Sequence, residues 1–172
     1  MNYADIKRVD VANGPGVRVS LFVSGCTHRC PGCFNPETWN FQFGAPFGEE
    51  QIQEILGYLR PNHIKGLSLL GGEPFEPENQ PVVLELVKRV RAELPQKDIW
   101  CYTGYLFEPL AEGKIGVHSR PLLEQLDVLV DGPFILERKN LGLRFRGSDN
   151  QRVLDVPASL AAKQAVWCEK YR

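Results

Sequence analysis

Three cysteines fall within eight residues in the run Cys26-Thr27-His28-Arg29-Cys30-Pro31-Gly32-Cys33. For their sulfurs to act together the backbone must double back. Pro31, Gly32 and the following Pro36 disfavour a helix, so the segment is read as a loop. It begins where Val17 to Val23, a strand by its alternation, ends at Ser24-Gly25. Three thiolates can ligate three irons of a 4Fe-4S cluster and leave the fourth iron open. An open coordination position is where chemistry takes place, whereas structural metal sites are closed. The alternative is zinc, with His28 as fourth ligand, although zinc ligand pairs are usually separated by a longer segment.

The rest of the chain alternates between helical and strand patterns. Glu49 and Glu50 open a helix whose Ile52, Ile55, Leu56 and Leu59 fall at helical spacing, and Pro61 stops it. A short buried strand, Gly66 to Leu70, runs into Gly71-Gly72-Glu73-Pro74. Pro81 suits a first helical turn, Val83 to Leu94 gives a broad apolar face, and Pro95 ends that helix. Asp98 to Thr103 reads as a third strand, Pro121 to Leu126 as a short helix, and Val128 to Val130 as a fourth strand ending at Asp131. Beyond Gly132, the stretches Arg144 to Gly147 and Arg152 to Val156 suggest a hairpin outside the sheet. Ala158 to Trp167 suggests a helix, with Cys168 on or near it.

Strand–helix alternation predicts an α/β fold, a parallel sheet covered by helices. A complete eight-unit barrel needs roughly 200 to 250 residues, and this chain has 172. An incomplete TIM-type barrel, one domain over residues 1–172, is therefore expected. In such sheets function gathers at the carboxyl ends of the strands. The cysteine loop, Gly71-Gly72-Glu73, Thr103-Gly104 and Asp131-Gly132 each follow a strand and are expected on one rim.

Composition excludes several classes. A net charge of −1 gives no bulk attraction for nucleic acid or a membrane surface. Neither a secretory start nor an apolar run of membrane-span length is evident, so a cytoplasmic protein is expected. Five cysteines, three of them crowded, do not resemble a disulfide framework. Cys101, in an apolar run, reads as a buried inert thiol.

The Cys-x3-Cys-x2-Cys run followed by Gly71-Gly72-Glu73-Pro74 resembles the radical S-adenosylmethionine (SAM) superfamily. Asn13-Gly14-Pro15-Gly16, Leu21 to Cys33, Tyr102-Thr103-Gly104-Tyr105, Asp131-Gly132-Pro133-Phe134 and Arg146-Gly147-Ser148 are similar to the family of anaerobic ribonucleoside-triphosphate reductase activating proteins. The likeness spans about residues 5–156, leaving 157–172 as an extension. An incomplete barrel matches that family's fold. The resemblance implies a 4Fe-4S cluster on Cys26, Cys30 and Cys33, with SAM on its open iron. Backbone and side-chain atoms of Gly72 and Glu73 would receive the SAM ammonium, and Gly71 would allow close approach. Gly32 would let Cys33 turn back to the cluster and a ligand come near. Phe34 would pack on the adenine or cover the cluster, or else belong to the core. Thr103 and Asp131 would contact the ribose, the carboxylate or a nearby cation; Asp131 also reads as a routine turn residue. Related pyruvate formate-lyase activators carry an Asp-Thr pair where Tyr102-Thr103 stands, which leaves a cation site in doubt. His28 and Arg29 are expected at the loop surface. Arg144, Arg146 and Arg152 read as a solvated basic face or as a docking surface.

The implied activity is reductive cleavage of SAM, fed by an external one-electron reductant (flavodoxin-like or ferredoxin-like). It would leave a glycyl radical on the large subunit of the anaerobic ribonucleoside-triphosphate reductase. Two alternatives stay within the same chemistry: activation of another glycyl-radical enzyme, or a small substrate of the deazapurine type. A zinc-binding interaction module is the alternative from a different class. On this reading, a bulky residue at Gly72 weakens SAM binding and leaves iron content intact.

Overall fold

The computed structural model describes residues 1–172. Its first element is one the hydrophobic pattern did not announce. The strand β1 (Asn2–Asp10) buries only Asp10 fully, and runs antiparallel to β2 (Val17–Val23). The two-residue strand β3 (Ala45–Pro46) pairs with the outer edge of β1. Next come α1 (Glu49–Leu59), β4 (Ile64–Gly71), α2 (Gln80–Glu93), β5 (Asp98–Tyr102), α3 (Phe107–Ala111), α4 (Ser119–Leu123) and β6 (Val128–Asp131). The chain closes with β7 (Arg152–Asp155) and α5 (Val156–Ala162).

The strands form one seven-stranded sheet in the order β3-β1-β2-β4-β5-β6-β7. The four central strands are parallel, and both flanks are antiparallel. The sheet does not close on itself. This is the α/β fold expected, built as an open mixed sheet rather than an all-parallel one.

Alternation along the strands gives the sheet two different faces. Val19, Leu21, Val23, Leu67, Leu69, Ile99, Cys101 and Leu129 point to the side where α1 and α2 bury Ile52, Ile55, Leu56, Leu59, Val83 and Val87. Cys101 is 0% exposed there, the inert buried thiol its context predicted. The opposite face carries Arg18, Ser20, Phe22, Ser68, Trp100, Tyr102 and Val130, and no helix covers it. Over its floor, Trp100, Phe145 and Tyr171 pack as a three-ring cluster with centroids 5.3–5.5 Å apart. Arg18 is fully buried: its guanidinium donates to Ser68 Oγ at 2.8 Å and to Asp98 Oδ1 at 2.6 Å. It also donates to the Pro15 carbonyl, while Ser68 Oγ donates to the Asn13 carbonyl. The Asn13–Gly16 turn therefore serves as the lid over a buried cation.

Past Gly132 the structure departs from expectation. Arg144 to Gly147 form no strand, and β7 is an edge strand of the main sheet, not part of an outlying hairpin. The helix expected to reach Trp167 stops at Ala162, because Lys163 turns left-handed at φ 58°. The chain then doubles back along β7, with Asp155 N–H donating to Val166 O and Cys168 N–H to Val153 O. Cys168 precedes a short 3-10 turn and lies on no α-helix.

Candidate functional site

Four loops meet at the carboxyl ends of β2, β4, β5 and β6. Between them lies a cavity of about 640 Å³, lined by all three clustered cysteines, Phe34, Gly71, Gly72, Glu73, Thr103 and Gly104. Two residues assigned to the site by sequence, Gly32 and Asp131, do not line it.

The cysteine loop hangs from backbone bonds at its base. Gly25 N–H donates to Thr38 O, Cys26 N–H to Trp39 O, and Glu73 N–H to Gly25 O at 2.8 Å. Buried Asn79 donates to both Ser24 O and Glu73 O, tying the end of β2 to the turn after β4. Within the loop Arg29 adopts φ 50°, rare for a residue with a side chain, and its guanidinium lies over Trp39. Gly32, at φ 76°, faces Leu136, which an added Cβ would meet at 2.8 Å. Its glycine is thus favoured by the left-handed turn, while exposed Leu136 could move aside. Phe34 is 60% exposed and leans on Phe134 at 5.2 Å, so it stands at the cavity rim, outside the core.

Glu73 is 1% exposed, and its carboxylate accepts four hydrogen bonds. Oε1 takes Gly104 N–H at 2.7 Å and pairs with His28 Nε2 at 2.6 Å; Oε2 takes Phe75 N–H and Thr103 Oγ, both at 2.8 Å. All its acceptor capacity is used within the protein. One turn along, the Gly72 carbonyl accepts no hydrogen bond from the protein. Gly72 itself lines the cavity. Thr103 acts through Glu73: its hydroxyl donates to the carboxylate and accepts Tyr105 N–H.

Asp131 is fully buried elsewhere. Its two oxygens take Arg152 at 2.9 and 2.6 Å and Phe107 N–H at 2.8 Å, and Arg152 also reaches Glu108. The three arginines read as one basic face are split up. Arg152 is locked in this pair, Arg146 donates to Gln151 O, and Arg144 lies over Phe145 and Tyr171.

His28 is the clearest correction. It faces inward, pairing with Glu73 and packing edge-on against Tyr105 at 4.4 Å. Burial alone would lower its pKa, but the hydrogen bond and charge of Glu73, with that of Glu76, raise it. Beside it, buried Glu76 accepts from Thr27 Oγ at 2.7 Å and Tyr105 OH at 3.1 Å. Burial pushes the Cys26 thiol up to about 11, with Glu73 and Glu76 adding to it, and burial also raises that of Cys30. No sequence signal marks Glu76, which comes in on the turn between β4 and α2. Tyr102, at the end of β5, has a buried hydroxyl with no partner.

The donor set fits an iron–sulfur cluster. Three thiols share one cavity and no fourth cysteine joins them, the donor count of a cluster with one open iron. A cubane binds each thiolate through a different iron. His28, the fourth ligand of the zinc alternative, is engaged with Glu73.

Comparison with known proteins agrees. Residues 12–154 match the family described as "4Fe-4S single cluster domain". The chain is 46% identical over 155 residues to the "Anaerobic ribonucleoside-triphosphate reductase-activating protein" of Escherichia coli, covering 89% of this chain and 97% of that protein. The proteins of that name from Vibrio cholerae and Pasteurella multocida are 47% and 46% identical over 153 residues. Each alignment covers 88% of this chain, and 96% and 95% of the relative. No helix of the chain is long and apolar enough to cross a membrane.

Proposed function

The chain belongs to the family of anaerobic ribonucleoside-triphosphate reductase-activating proteins, and from that membership we propose that it is a radical SAM activase of the reductase large subunit. When bound on Cys26, Cys30 and Cys33, the 4Fe-4S cluster supplies one electron for reductive cleavage of SAM, whose deoxyadenosyl fragment takes a hydrogen atom from a reductase glycine. The electron comes from a flavodoxin-like or ferredoxin-like donor. The protein's part is binding, orientation and exclusion of side reactions.

The observation that carries this reading is the shared cavity of the three thiols and the unpaired Gly72 carbonyl. An ammonium group needs such an acceptor, and a ligand bridging it to the cluster has its place between β2 and β4. Glu73 anchors the turn and lends negative charge, while its oxygens stay with their internal donors. Phe34 at the rim is placed to cover the adenine. Thr103 contributes by holding Glu73, and Asp131 by holding Arg152. The face of the open sheet away from α1 and α2 acts as the inside of a partial barrel, whose rim a glycine loop of the reductase reaches. Residues 1–172 work as one cytoplasmic domain, with Tyr171 of the 157–172 extension completing the floor.

The test is anaerobic. The protein is reconstituted with iron and sulfide, reduced with dithionite and given SAM, and 5′-deoxyadenosine is measured. The nucleoside is expected from the wild type and absent from Cys30→Ser. With the reductase added, a glycyl-radical signal is expected in its spectrum. Zinc in place of iron, or iron with no nucleoside even beside the reductase, would refute the reading.

A further inference from the structure

SAM binding on the proposed reading demands that two separate loops keep a fixed offset. The open iron is set by the cysteine loop after β2, and the ammonium acceptor by the Gly72 turn after β4. Misplacing reacting groups by about 1 Å costs about a hundredfold in rate, and a displaced acceptor weakens the hydrogen bond it offers. The side-chain link directly from the cysteine segment to Glu73 is His28, whose Nε2 lies 2.6 Å from Oε1.

A second observation points to the same contact from the other side. A Cβ built at Gly104 would meet the His28 ring at 2.6 Å to Cδ2 and 2.7 Å to Nε2. Gly104 has no positive φ, so its backbone would accept alanine. Its bare Cα is therefore the seat for the ring. The same residue's N–H donates to the same Glu73 oxygen that pairs with His28. One imidazole thus touches the turns after β4 and β5 while standing between two cluster ligands.

We propose that His28 is a positioning residue that locks the cysteine loop to the Glu73 turn and so sets the affinity of the site for SAM. The inference rests on the activase reading above. His28 touches neither iron nor SAM in this role. Its effect passes through Glu73, and Gly104 is its required neighbour.

Three variants test it: His28→Leu removes the ring and its donor, His28→Gln restores an N–H, and Gly104→Ala displaces the ring without touching the loop. Each is reconstituted, its iron is counted, SAM binding is measured by equilibrium dialysis, and the paramagnetic spectrum of the reduced protein is recorded with and without SAM. Full iron is expected throughout. His28→Leu and Gly104→Ala are expected to bind SAM about ten- to a hundredfold more weakly, the loss of one hydrogen bond to a charged group, and to lose the SAM-induced spectral change at concentrations that saturate the wild type. His28→Gln is expected to recover most of the affinity. The Leu/Ala double variant is expected to be no worse than either single one, because both break one contact. Wild-type SAM affinity in His28→Leu and Gly104→Ala would overturn the inference and leave the activase reading standing. So would additive losses, or loss of iron in place of SAM. A wild type that holds iron but binds no SAM would bring down the activase reading itself.

Discussion

Gly72 carries more than the sequence assigns to it. A Cβ there would lie 2.7 Å from the Gly25 carbonyl and 2.9 Å from that of Thr38. The first accepts Glu73 N–H and the second accepts Gly25 N–H, so both belong to the base of the cysteine loop. Gly72→Ala is therefore expected to lower iron content along with SAM binding, contrary to the sequence expectation that iron survives. Iron and sulfide counts on the reconstituted variant decide it, and a full cluster with only SAM lost would restore the simpler view. That the three cysteines share one cavity was legible because their spacing lies along the chain itself. His28 was not, because its partner Glu73 sits on another strand end and nothing local shows which way the ring turns. The same holds for Asp131: its position after a strand could be read, but its capture by Arg152 could not.

Among the elements, those with a strong period were read correctly. In α1 the buried residues are the four named from helical spacing, and β2, β4 and β5 fall within two residues of the expected ends. The elements that escaped lie at the two flanks of the sheet. In β1, Asp5, Lys7 and Arg8 are exposed and apolar content is low, since that strand's outward groups meet water. The four-residue β7 was seen as a segment but not placed, because its pairing with β6, and the Arg152–Asp131 bond across their register, join residues more than twenty apart in the chain. That bond gives a test at this scale. Arg152→Ala would strand a fully buried carboxylate with one backbone donor, and is expected to cost about 3 kcal/mol. Urea unfolding measures the loss. Adding Asp131→Asn is expected to return part of it, since a neutral amide is easier to bury than an unpaired charge.

At the scale of the molecule, the open sheet keeps one face for the helical core and the other for the site. The site belongs to no single unit: its walls come from loops after four different strands. Whatever binds there holds those loops together and favours the folded state by mass action. The cluster-loaded protein is therefore expected to melt several degrees above the apoprotein in an anaerobic thermal scan, with SAM adding a further rise. Equal midpoints would mean that the cluster has no preference for the folded state over the unfolded chain. The anchoring of Glu73 has a further consequence, for the order in which the protein is made. The cysteines leave the ribosome early, but the Thr103 and Gly104 donors that complete the Glu73 hub emerge much later. The nascent chain thus offers three thiols before it has a site to put them in, and delivery of iron and sulfide is best timed to follow translation of β5.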